Sequence, residues 1–320
     1  MTFFPTYWKI IAVTCFVAAT ILLISKVGSI PNILSSLGNI SLVELIIVTM
    51  LFALLRFSQA LCFAVVASTI NVRISMGSSM DLMALKGFFN LGLGGAGLVA
   101  QAAHSRTTNL LSLPEFTAAT LIQSLFLVSS FGIALLFAVF WIEAPQSFVI
   151  FCALACVFVF TLPLIAFLIL NSITYASALI PSSMSDSASK LRQAVTFNPK
   201  RLMLAAWLLQ ILIVLFRIAR IALIGLFLSS EIDIRSLIAT TLVADFASLI
   251  PLTPGGIGLR EFVIGVGANI VDQFDLFMAA AVLDRAVAIT CNLLHGGFVL
   301  LKILVMTKSS NKKKSAKSCK

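Results

Sequence analysis

Long apolar runs fill most of this chain, and two of them are broken near the middle by glycine. Unbroken windows long enough to cross a hydrocarbon core of about 30 Å lie near 8–25, 42–70, 116–141, 147–170, 202–228 and 276–305. The broken regions, 75–103 and 237–271, divide into halves of about 14 residues. As helix each half reaches about 20 Å, past the midplane but not across. The pattern predicts six spans and two re-entrant helical hairpins.

Lys and Arg collect on the cytoplasmic side of membrane proteins. Arg73 and Lys86, His104 and Arg106, Lys190 to Arg201, and a C-terminal run from Lys308 to Lys320 fall on one side of this topology. Glu143, the Glu231/Asp233/Arg235 turn and Asp272/Asp275 fall on the other, with Lys26 a lone exception. Both termini are therefore expected in the cytoplasm. One membrane domain, 1–320, is expected to comprise a first span and outer loop (1–39), a first repeat (40–145), a linking span and cytoplasmic loop (146–201), a second repeat (202–306) and a basic tail (307–320).

Composition narrows the class further. The 320 residues are 60% hydrophobic and 11% charged, so a polytopic membrane protein is the reading, with no stretch polar enough for a separate soluble domain. The net charge of +10 includes Lys308, Lys312, Lys313, Lys314, Lys317 and Lys320. Beside a span, such a tail meets anionic inner-leaflet lipid, and no nucleic-acid partner is expected. The six cysteines lie mostly in apolar runs without metal-ligand spacing, and His104 and His295 lack a carboxylate pattern, so neither a disulfide framework nor a metal or other cofactor is expected.

The two halves repeat at one spacing. Gly94-Gly95-Ala96-Gly97-Leu98 matches Gly255-Gly256-Ile257-Gly258-Leu259 at an offset of 161, which also places Arg56 on Arg217 and Phe116-Thr117-Ala118-Ala119 on Phe277-Met278-Ala279-Ala280. With hairpins that do not cross, the two copies run in opposite directions. The fold class is thus an all-α polytopic membrane protein with two inverted-topology repeats, each holding a glycine-broken re-entrant hairpin, an architecture with a substrate site between the copies.

Candidate chemistry gathers in the second copy. Pro251 to Glu261 reads P-L-T-P-G-G-I-G-L-R-E, a turn after which a helix start near Gly255 and Gly256 points free N–H groups at an anion. Arg56 and Arg217 lie near the centres of spans, where an unpaired cation costs several kcal/mol, so both call for partners. Glu261 and Asp284 are candidate partners for Arg217 and Arg285, and Arg220 extends the basic face of Arg217. Asp245 fits a polar lining residue or a helix-to-helix hydrogen bond equally well. Arg260, Glu261, Asp284 and Arg285 stand opposite Val99, Ala100, Gln123 and Ser124 of the first copy.

The Pro251 to Glu261 motif, with Asp284-Arg285 about two dozen residues later, resembles the lysylphosphatidylglycerol synthase transmembrane region, a flippase-like membrane family. Phe88-Phe89-Asn90 and Arg56 resemble its amino-terminal half. The resemblance implies movement of a lipid between leaflets. The full-length synthases carry a further cytoplasmic domain that makes the lipid; this chain is expected to lack it. Leu93 and Ala100 replace the Pro and acidic residue of the family's first glycine turn, which counts against a symmetric two-site mechanism.

The expectation is a flippase-like transporter of the cell membrane and not an enzyme. Its partner would be an anionic phospholipid or polyprenyl-linked lipid, bound by Arg217, Arg260, Arg285, Arg56, Glu261, Asp284, Gly255 and Gly256. Two other classes stay open: a membrane subunit partnering a lipid-modifying or glycan-assembly enzyme, and an intramembrane lipid enzyme with Glu261 or Asp284 as base.

Overall fold

The computed structural model describes residues 30–92, 95–141, 200–248 and 259–318, together with residues 146, 150 and 153. The expected span at 8–25, all but residues 150 and 153 of that at 147–170, residues 171–199 of the linker and the Gly255/Gly256 turn fall outside the described residues. Those that are described form helices and no strands: α1 (Ile30–Gly38), α2 (Leu42–Thr69), α3 (Met76–Gly92), α4 (Ala96–Thr107), α5 (Leu113–Trp141), α6 (Lys200–Leu228), α7 (Ile234–Ala247), α8 (Leu259–Ile270) and α9 (Phe274–Ser318).

Four of these helices are long and apolar enough to cross a membrane: Leu42–Thr69, Leu113–Ala138, Arg201–Leu228 and Phe274–Val305. Their starts are cut by local chemistry. Ser41 and Glu44 form a reciprocal cap at α2, with Ser41 N donating to Glu44 Oε2 at 2.7 Å, and Ser112 N donates to Glu115 Oε2 at 2.7 Å at the start of α5. Between the long helices lie two short pairs, α3/α4 and α7/α8, of 17, 12, 14 and 12 residues. At about 1.5 Å per residue none reaches about 30 Å. Gly95, with φ +80°, turns the chain into α4, a conformation that favours glycine. Asn90 Oδ1 accepts from Gly97 N at 2.9 Å and ties the two helices together across that turn.

The helix pattern repeats as long, short, short, long. Adding 161 carries Leu113, the first residue of α5, onto Phe274, the first residue of α9. The packing follows the same exchange: α3 lies on α9 as α7 lies on α5, and α2 and α6, the equivalent first helices, pack extensively on each other. These two run antiparallel, because Cys62 Sγ donates to Ala206 O and Gln210 Oε1, each at 3.5 Å, whereas the earlier Phe52 lies against the later Arg220.

Two segments differ from expectation. Residues 30–38, read as part of an outer loop, are helical, because Ile33 and Leu37 recur one turn apart and pack on the core while Asn32 Nδ2 donates to Asp275 Oδ2 at 3.0 Å. The helix ending near 305 instead runs through Ser318, since the Lys-rich stretch contains no Gly or Pro to stop it. The Glu231 and Gln273 turns meet at one end, where Gln273 Oε1 accepts from Asp233 N at 2.8 Å. Lys302 Nζ reaches Asp81 Oδ2 at 2.6 Å some 27 residues farther along α9 than Asp275.

Candidate functional site

Three arginines and two aspartates interlock between the last four helices. Asp245, in the last turn of α7, accepts from Arg217 Nη1 of α6 at 3.1 Å and from Arg260 Nε of α8 at 2.8 Å. Arg260 Nη2 donates to Asp284 Oδ2 of α9 at 2.9 Å. Arg220 Nε stands 2.7 Å from Asp284 Oδ1, close enough for an ion pair but misaligned for a hydrogen bond. Arg217 and Arg220 share a helix face at i and i+3, and α8 delivers Arg260 from its first turn. The network carries three positive charges against two negative. Arg217 Nε, Arg220 Nη1 and Arg260 Nη1 are buried without a hydrogen-bond partner among the described residues, donors that cost free energy until an acceptor meets them.

The first half adds its own cations. Arg56 of α2 donates through Nη1 to Gln59 Oε1 at 3.1 Å and through Nη2 to Asn292 Oδ1 of α9. Its guanidinium carbon and that of Arg220 both lie 5.1 Å from the Phe52 ring centroid, while Arg217 lies 5.5 Å from that of Phe131. Under the 161-residue offset Arg56 becomes Arg217 and Phe131 becomes Asn292. The two contacts thus correspond under that offset, Arg56 meeting the polar Asn292 and Arg217 the aromatic Phe131.

All these groups except Phe131 face one cavity of about 860 Å³ between the two halves. Arg56, Lys86, Arg217, Arg220, Arg260 and Arg285 line it with Asp245 and Asp284, a formal excess of four positive charges, and Gln59, Asn90, Gln123, Ser124 and Asn292 supply neutral polar surface. Glu261 joins from behind, with Oε1 3.7 Å from Arg285 Nε. Drug-sized ligands occupy cavities of about 300–1,000 Å³, so a lipid head group fits. Surplus positive charge in a low-dielectric setting suits an anion.

A family model of the lysylphosphatidylglycerol synthase TM region matches residues 10–296. The chain belongs to that family. The match takes in both halves of the lysylphosphatidylglycerol synthase TM region and every cavity residue named above. None of the curated proteins compared with the chain matches it. Family membership and four apolar helices make this a membrane protein.

The site residues read from sequence separate as follows. Arg56, Arg217, Arg260, Asp284 and Arg285 line the one cavity, and Glu261 adjoins it through Arg285. Gly255 and Gly256 lie outside the described residues. Pairing differs from expectation in two respects: Arg217 takes Asp245 rather than Glu261 or Asp284, because α7 packs between α6 and α8 and carries Asp245 to both arginines, and Asp284 takes Arg220 and Arg260 rather than Arg217 or Arg285. Lys86 is also corrected. Counted in sequence as a marker of the cytoplasmic side, it sits inside α3 on the cavity wall. Its depth was signalled by its place in Met83-Ala84-Leu85-Lys86-Gly87-Phe88, ten residues and more from the polar Arg73 loop.

Proposed function

We propose that this protein is a flippase-like transporter that moves an anionic phospholipid or lipid-linked head group between leaflets of the cell membrane. The observation that carries the reading is the cavity itself: six cations and two carboxylates between two halves whose first helices run antiparallel. In this reading the halves are inverted repeats and the short pairs α3/α4 and α7/α8 are re-entrant hairpins. The head group enters the cavity, acyl or prenyl chains stay in the bilayer, and rocking of one half on the other exposes the site to each leaflet in turn. Arg217, Arg260 and Arg285 hold the anion, Glu261 orients Arg285, and Asp245 and Asp284 fix the arginines. Both termini face the cytoplasm, where the basic tail meets anionic lipid, and the protein performs no covalent chemistry.

Leaflet exchange of dithionite-quenchable anionic lipids in proteoliposomes tests this, with wild type compared with Arg217→Gln and Glu261→Gln. Exchange above empty vesicles that falls by about tenfold or more in each folded variant supports it. Equal exchange by both variants moves the site elsewhere. No exchange of any phospholipid or polyprenyl lipid, with an enzyme co-purifying, replaces the proposal with a partner-subunit role.

A further inference from the structure

The cavity cations divide into two groups by compensation. Arg217, Arg220 and Arg260 share Asp245 and Asp284, and Arg285 faces Glu261. Arg56 and Lys86 have no such counter-charge: among the described residues no carboxylate forms an ion pair with either, and the acceptors of Arg56 are the neutral amides of Gln59 and Asn292. Both line the same cavity, and the backbone brings Arg56 against the helix that carries Lys86. A Cβ on Gly87 would stand 2.7 Å from Arg56 Nη2, so the bare glycine lets the guanidinium press against α3 one residue from Lys86. Asn90, one turn beyond Lys86, and Asn292 line the same cavity. Two like charges amid neutral groups cost free energy until an anion joins them. Close by, Arg220, which shares the Phe52 ring with Arg56, keeps Nη1 buried and unpartnered.

Resting on the flippase reading, we propose that Arg56 and Lys86, with Asn90 and Asn292 beside them, seat the terminal phosphate monoester of a lipid. A phosphate monoester carries about −1.5 to −2 at neutral pH and matches two uncompensated cations. A phosphodiester brings one charge and leaves one cation unmatched. A head group with an added ammonium meets like charge around the cavity. Arg56 and Lys86 thus supply the two uncompensated charges of the phosphate seat, and the second half's arginines, partly neutralised by Asp245 and Asp284, hold the anion from the opposite wall.

The test is binding to the full chain in detergent, by calorimetry, of dioctanoyl phosphatidic acid, dioctanoyl phosphatidylglycerol and inorganic phosphate. The expected result is phosphatidic acid bound at least about tenfold more tightly than either of the others. That preference should fall between about pH 7.5 and about pH 5 as the phosphate gains its second proton. Lys86→Met should reduce it to about twofold while Lys86→Arg keeps it. Arg56→Gln provides the same reading should Lys86→Met fail to fold.

Phosphatidylglycerol bound as tightly as phosphatidic acid, or a preference that survives both neutral substitutions, overturns the seat. Inorganic phosphate binding as tightly as the lipid overturns it in favour of a free-phosphate site. Because binding is read without transport, the preference without leaflet exchange sinks the flippase reading alone, and exchange without the preference sinks the seat alone.

Discussion

Asp245→Asn removes one negative charge from the centre of the network and almost no volume. In the folded protein that carboxylate accepts from Arg217 at 3.1 Å and from Arg260 at 2.8 Å. The substitution turns three positive charges against two into three against one. Removing one partner of a buried ion pair costs about 3–5 kcal/mol. The two arginines do not weigh equally: the side chain of Arg260 is 5% exposed and that of Arg217 is 23% exposed, so water relieves part of the loss at Arg217. Arg260 also keeps Asp284 at 2.9 Å. The lower end, about 3 kcal/mol, is therefore expected, equivalent to a fall in melting temperature of about 5–10 °C.

The assay is thermal unfolding in detergent, followed by tryptophan fluorescence at a fixed scan rate. A cycle with Arg217→Gln separates charge loss from general damage: the double variant should recover about 1 kcal/mol relative to the sum of the singles. A shift below about 1 °C for Asp245→Asn, or strict additivity in the cycle, would refute the view that Asp245 holds these two arginines.

Two further outcomes follow from close backbone approaches. Gly87→Ala puts a methyl 2.7 Å from Arg56 Nη2 and should displace that guanidinium from Asn292, lowering leaflet exchange by about tenfold while the melting temperature moves little. Unchanged exchange would remove Gly87 from the account. Gly97→Ala puts its methyl against the Lys86 carbonyl and Asn90, breaks the bond from Gly97 N to Asn90 Oδ1, and should destabilise the protein by about 1–3 kcal/mol in the same unfolding assay.

Much of the scaffold was legible because its signals are local. Uninterrupted apolar runs marked 42–70, 116–141, 202–228 and 276–305, and all four reappear as long helices. Glycine marked the break before α4 because a left-handed residue is needed at Gly95, as its positive φ attests. The cavity was legible only in part, because pairing is a tertiary property. Asp245 sits alone in Val243-Ala244-Asp245-Phe246 with no spacing that names a partner, and only the packing of α7 between α6 and α8 gives it two. Lys86 misled for a related reason: a rule that counts charges by side cannot tell a lysine at a helix end from one on a cavity wall. Helix α1 was hidden by its shortness, since Ile33 and Leu37 give a single turn of pattern.

The seating of α3 against α9 bears on how the protein is made. Gly87 and Phe88 abut Asn292 and Gly296, and Asp81 pairs with Lys302, so the wall that carries Lys86 is completed by a helix that is made much later in the chain. Until then Arg56 has only Gln59 as an amide acceptor and α3 lacks one of the helices it packs against. Before α9 is in place the first half carries two half-buried cations without that shelter, which is costly in a bilayer. Truncation anywhere before Asn292 therefore damages the first half as surely as the second, because it removes an acceptor of Arg56 and a face against which α3 packs.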